Sequence, residues 1–147
     1  VVDVAMAASD GAMEIDMVMD IEAFRQKDYE KVSAGIINII EAAEGRIIKV
    51  IIESCLWTDE EIKIACEVVQ GSSAQFVKSS TGFSTHGATI DHIRIMRETV
   101  GDLFGVKASS GIKSFDDALK MIKAGANRIG TSSGDEIMKT EKLKSED

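Results

Sequence analysis

The chain has 147 residues, 17 Lys and Arg against 25 Asp and Glu for a net charge of −8, no proline, two cysteines and 12 glycines. A chain of that size hides roughly 70% of its unfolded surface, and 44% apolar with 29% charged residues excludes a disordered or collagen-like polymer. The acidic balance excludes a partner read chiefly through phosphate-backbone contacts, so no nucleic acid is expected, although a small anion needs only a local nest of donors.

In chain order, residues 3–12 read as a helix stopped near Gly11, and the EIDMVM run at 14–19 reads as a strand. Val32, Ile36, Ile39, Ile40 and Ala43 repeat at helical spacing across 28–44, with Gly45 as the stop. The β-branched run at 46–53 (RIIKVIIE) follows as a strand. Thr58 and Glu61 make a capping box for a helix ended by Gly71. Residues 74–79 form the next strand; Thr89 caps a helix stopped by Gly101; 104–108 is a strand; Ser114 and Asp117 open a helix closed by Gly125; and 127–131 is the last strand. The charged tail from 139 to 147 is expected to fray. Met6, Met13, Met17 and Met19 read as core filler. Strands alternating with helices imply βαβ units, a parallel sheet and one α/β domain over 1–147, with the apolar runs suggesting strands covered on both faces. No apolar run approaches the ~20 residues of a membrane span, and the first residues lack a secretory signal pattern. The chain opens without methionine inside a helical pattern, which suggests a fragment or processed product. Cys55 and Cys66 are too few for a disulfide scaffold and suit a reducing compartment, the cytoplasm.

Three lysines interrupt the strands. Lys49, Lys78 and Lys107 lie 29 residues apart in succession, so consecutive βα units should place them at comparable heights. In a parallel barrel they would converge near the C-terminal rim, where active sites of that architecture sit. The plainer reading of one such lysine is snorkelling to water or to a carboxylate. Three at equal spacing, with Asp16 in the first strand, shift the balance toward function: a second cation within ~4–6 Å favours the neutral amine, which Schiff-base chemistry requires. Two small-residue clusters, SSGI at 109–112 and GTSSG at 130–134, precede helix starts and fit a phosphate site; simple N-capping by Ser114 and Ser133 is the alternative. The loop at 79–89 (SSTGFSTHGAT) follows Lys78 and lets a ligand approach the backbone. His86 reads as a solvent-facing loop residue and His92 as helix surface. Cys55 and Cys66 read as small hydrophobes, and no metal-ligand spacing emerges.

The segments EIDMV, KVIIE, FVKSSTGF, GVKASSGI and RIGTSSG, in this order and spacing, resemble the strand motifs of the deoxyribose-phosphate aldolase family over about residues 1–137. The resemblance implies a (β/α)8 TIM barrel, here a partial barrel of about five βα units standing for strands 4 to 8. It also implies a class I aldolase that cleaves 2-deoxyribose 5-phosphate reversibly to acetaldehyde and glyceraldehyde 3-phosphate without metal or organic cofactor. By the same resemblance Lys78 is the Schiff-base lysine, Lys107 lowers its pKa, Asp16 works with a water in proton transfer, and Lys49 pairs with Asp16. Gly82, Gly111, Gly130, Ser132 and Ser133 fall where the family binds phosphate.

Some features depart from the family pattern. Its first three strands have no counterpart, a full barrel usually takes ~200 residues or more, Ser110 stands where glycine is frequent, and a terminal tyrosine is lacking. Five strands alone would leave two open edges and an exposed apolar inner face. The alternative is therefore a truncated, non-catalytic partial barrel that keeps phosphate binding and self-associates. The expected partners are a small sugar phosphate and, through self-association, a homo-oligomer, with no membrane.

Overall fold

A computed structural model describes the backbone of residues 1–144 and the side chains through Lys139. Five parallel strands pair in sequence order, β1 (Glu14–Val18), β2 (Ile47–Ile51), β3 (Phe76–Lys78), β4 (Gly105–Ser109) and β5 (Arg128–Gly130). With a helix on every crossover the sheet curls one way, as a half-barrel whose two edges are β1 and β5. The helices are α1 (Val2–Ser9), α2 (Ile21–Arg25), α3 (Tyr29–Ala42), α4 (Asp59–Gly71), α5 (Ile90–Val100), α6 (Phe115–Lys123) and α7 (Gly134–Lys144), with a 3-10 turn at Ser54–Leu56.

Local chemistry sets these boundaries. Thr58 and Glu61 cap α4 reciprocally, the Thr58 N–H reaching Glu61 Oε2 at 2.9 Å, and Ser114 with Asp117 does the same for α6. α2 has no sequence expectation behind it: one turn is too short for a periodicity, and it is held by Asp20, which accepts the Ala23 N–H at 2.9 Å. Where fraying is expected from Lys139, the chain is helical as far as Lys144; residues 145–147 lie outside the described residues.

The pleat separates two chemistries. Ile48, Val50, Val77, Val106 and Ala108 point outward and are buried against Ile36, Ile62, Ala65, Val69, Ile93 and Met96 of the helices. The alternate positions point inward. The inner face is not the exposed apolar surface expected from the sequence, because period-two alternation hands it Glu14, Asp16, Lys49, Lys78, Lys107 and Arg128. Nor are the methionines uniformly core: Met19 is buried, but Met6 and Met13 are exposed on and beyond α1. Among the described residues no helix is long and apolar enough to cross a membrane.

The outer face supplies the stability in this arrangement. Ile48→Ala should lower unfolding free energy by about 3 kcal/mol and Thr58→Ala by about 1 kcal/mol, both read from urea midpoints at unchanged slope. Equal costs would mean that the sheet–helix core is not the dominant packing surface.

Candidate active site

Strand register decides which inward residues meet. Asp16 lies opposite Lys49, and Lys78 lies opposite Lys107. Lys49, however, is level with Phe76, and Lys78 with Ile51. The equal sequence spacing therefore gives a common height for Lys78 and Lys107 but sets Lys49 two residues lower, the stagger that a curling parallel sheet imposes. All three side chains nevertheless end on one carboxylate. Lys49 Nζ stands 2.9 Å from Asp16 Oδ1, while Lys78 Nζ and Lys107 Nζ each stand 2.7 Å from Asp16 Oδ2.

Burial pushes the Asp16 carboxyl toward the neutral form, but hydrogen bonds from Lys107, Lys78 and Lys49 outweigh it and hold the group well below the usual carboxylate range. Behind it lies a second carboxylate that the motifs do not single out. Glu14 pairs with Lys49 at 2.8 Å and with Arg128, and the Arg128 and Lys49 hydrogen bonds hold its carboxyl low. The Glu14–Arg128 pair crosses the inner face from one edge strand to the other, and Arg128 also stands 4.9 Å over the Phe76 ring. The available signal is parity: Glu14 sits two residues before Asp16 on the same strand, hence on the same face. The network holds four cations against two carboxylates, an excess of positive charge that attracts an anion.

Beside it opens a cleft of about 560 Å³, lined by the last residues of β3, β4 and β5 (Lys78, Ser109 and Gly130) and by Thr81, Gly82 and Phe83, residues 110–113, and Thr131 and Ser132 of the loops that follow them. Lys78 thus belongs to both the ion-pair network and the cleft. Of the sequence-selected loop residues, Gly82, Gly111, Gly130 and Ser132 line the cleft. Ser133 does not; its N–H is taken by Thr131 Oγ1 at 2.9 Å, at the start of α7. Lys113, which no motif marks, adds a cation to the lining.

Ser110 adopts φ +72, a left-handed conformation that favours glycine. Its carbonyl is so close to Gly87 that a Cβ there would meet the oxygen at 2.2 Å, so Gly87 is required for the loop to lie against β4. His86 is exposed, as expected. His92 is not plain helix surface: it is half-buried, with Nδ1 3.2 Å from Ser54 Oγ, and burial followed by the neighbouring His86 lowers its pKa. Cys66 is buried, its thiol pushed up to about 12 by desolvation, whereas Cys55 is half-exposed, with Sγ 4.0 Å from Glu53 Oε1.

The sequence and fold are similar to those of known proteins. The family model of the DeoC/LacD aldolases matches residues 1–140. The deoxyribose-phosphate aldolase of Streptococcus sanguinis is 53% identical over 135 residues, covering 92% of this chain and 61% of that protein. The enzyme of the same name from Thermococcus kodakarensis is 52% identical over 134 residues, covering 90% and 60%. Among solved structures, a deoxyribose-phosphate aldolase from Aeropyrum pernix, described as tetrameric, superimposes with a TM-score of 0.87 at 32% identity over 96% of this chain and 60% of its own. A structure from Coccidioides immitis assigned to the same activity gives 0.91 at 35% identity, over 96% and 57%. The chain spans about three fifths of the length of the curated relatives it matches.

The depressed Asp16 carboxyl has a pH signature. A carboxylate whose folded-state pKa lies below its unfolded value of about 4 stabilises the fold above that value, and the contribution is lost as pH falls below it. Asp16→Asn should cost about 2 kcal/mol at pH 7, since it takes the carboxylate partner from Lys78 and Lys107 while Lys49 keeps Glu14, and should flatten the fall in stability between pH 5 and pH 2. Parallel stability–pH curves for the two proteins would show that Asp16 is not what holds the lysines.

Proposed function

The chain belongs to the DeoC/LacD family of aldolases, and on that premise we propose that its protein catalyses the reversible retro-aldol cleavage of 2-deoxyribose 5-phosphate to acetaldehyde and glyceraldehyde 3-phosphate through a Schiff base on Lys78. One observation carries the reading: Lys78 and Lys107 share a single oxygen of Asp16, at 2.7 Å each, with Lys78 opening into the cleft. Two ammonium groups compete for one oxygen, so Lys78 can leave it for a substrate while Lys107 keeps the carboxylate paired.

In the proposed sequence, Lys78 gives up one proton and its amine adds to C1 of the open-chain sugar; that proton returns to the carbinolamine hydroxyl, which departs as water and leaves a protonated imine. That imine draws the electron pair of the C2–C3 bond, so the bond breaks while the C3 hydroxyl loses its proton through a water to Asp16. Glyceraldehyde 3-phosphate leaves, the enamine takes a proton at C2, and hydrolysis returns acetaldehyde and free Lys78. Asp16 gains basic capacity at the moment it is needed, because the Lys78 nitrogen leaves Oδ2 for the carbonyl carbon. Lys49, tied to both Glu14 and Asp16, keeps the carboxylate in place. The phosphate end is assigned to Gly82, Gly111, Gly130 and Ser132 of the cleft, with Ser133 acting at one remove by shaping the start of α7; Lys113 supplies countercharge. A substrate of this charge stays within a membrane-bounded compartment, which suits a cytoplasmic enzyme. Self-association belongs to the same reading, supported by the two edge strands and by the tetrameric relative.

Borohydride reduction in the presence of acetaldehyde should attach a two-carbon group at Lys78 and abolish cleavage. Lys78→Leu should remove the label, and Lys107→Met should slow labelling about tenfold, the worth of one charged hydrogen bond, because Asp16 Oδ2 then holds Lys78 alone. Labelling at another lysine would overturn the assignment. Phosphate binding with neither labelling nor turnover would establish the non-catalytic partial barrel instead.

A further inference from the structure

Glu53 lies outside the lysine network and closes the KVIIE segment without a role assigned to it, yet its backbone and side chain are both tightly constrained. It follows β2 with φ +54 and ψ +59, a left-handed conformation that a glutamate rarely adopts. Its residue is only 6% exposed. Among the described residues the partners of its carboxylate are Thr81 and Cys55, while its backbone carbonyl accepts the Leu56 N–H at 3.0 Å. The Thr81 N–H donates to Oε1 at 3.2 Å and to Oε2 at 3.4 Å, the Thr81 hydroxyl donates to Oε2 at 2.5 Å, and Cys55 Sγ is 4.0 Å from Oε1.

The direction of these bonds matters. Because the Thr81 proton points at Glu53, the Thr81 oxygen is left as an acceptor, and it takes the Phe83 N–H at 3.1 Å. One carboxylate therefore sets the backbone of Thr81 and, through the hydroxyl, that of Phe83, with Gly82 between them at φ +102. These three residues line the cleft together with residues of the loops after β4 and β5. Lys78, by contrast, is fixed by the strand ladder and by Asp16, with its carbonyl accepting the Ile52 N–H at 3.0 Å.

We infer that Glu53 is a positioning residue for phosphate recognition: its carboxylate clamps the turn of Thr81, Gly82 and Phe83 in the conformation that closes the anion cleft, without taking part in the chemistry at Lys78. A carboxylate suits this task because its two oxygens accept from both Thr81 donors at once. A glutamine offers one oxygen and turns an amide N–H toward a donor, so the turn loses its anchor. The inference rests on the reading of the cleft as a phosphate site.

The test is inorganic phosphate titrated into the intact protein, followed by calorimetry, with borohydride-trapped ethylation of Lys78 measured on the same samples. Glu53→Gln should weaken phosphate binding at least tenfold while the labelling rate at Lys78 stays within twofold. Thr81→Val should weaken phosphate to a similar degree, Thr81→Ser should retain it, and the double variant Glu53→Gln/Thr81→Val should be no weaker than either single one. Wild-type protein that takes up no phosphate would sink the reading of the cleft itself. Normal phosphate affinity in Glu53→Gln, or simple addition in the double variant, would overturn the clamp alone. If Glu53→Gln fails to fold by circular dichroism, the Thr81→Val and Thr81→Ser pair decides, and equal affinities there refute the clamp.

Discussion

The site depends on one carboxylate receiving three ammonium groups. Asp16 sits on the first strand of the half-barrel, and the lysines come from the next three strands. A flat sheet would spread such residues in a line. Curling the sheet turns the line into a ring, so side chains from separate strands meet over the concave face. Charge that would be destructive in an ordinary core is tolerated because each cation ends on an acid, with Glu14 and Arg128 completing the lower part of the network. Removing the central acid would leave mutually repelling amines on a half-buried surface.

The concave face can hold this charge because the convex face supplies the packing. Ile48, Val50, Val77, Val106 and Ala108 are buried against the helices, so stability and chemistry occupy opposite sides of the same five strands. Period-two alternation enforces the division: an apolar residue on either side of Lys49 or Lys107 is obliged to face outward. The loops at the C-terminal ends of the strands then carry the cleft, where backbone freedom at Gly82 and Gly111, and at Ser110 against its own preference, brings three loops close enough to surround an anion.

Much of this was legible in the sequence because it was written as local pattern. The capping box at Thr58, the glycine stops and the β-branched runs locate most elements to within a few residues. The 29-residue recurrence of lysine identifies Lys49, Lys78 and Lys107 as inward-facing and related. What escaped was information held between strands. The stagger that sets Lys49 below its fellows, the pairing of Glu14 with Arg128 across 114 residues, and the bond from Thr81 to Glu53 across 28 residues have no local signature. Ser133 is placed among the phosphate residues by resemblance, and the bond of its N–H to Thr131 Oγ1 is likewise invisible in the motif. The expectation of an apolar inner face failed because it weighed strand composition without strand parity.

The most direct test of this account is a titration of the Asp16 side-chain carboxyl carbon by NMR, in protein labelled with 13C at aspartate and assigned through Asp16→Asn. Three ammonium donors require the resonance to stay at its ionised position from neutral pH down to acid unfolding. A midpoint near 4, the value of an ordinary exposed aspartate, would contradict the account, since the lysines would then have to be gathered by something other than this acid.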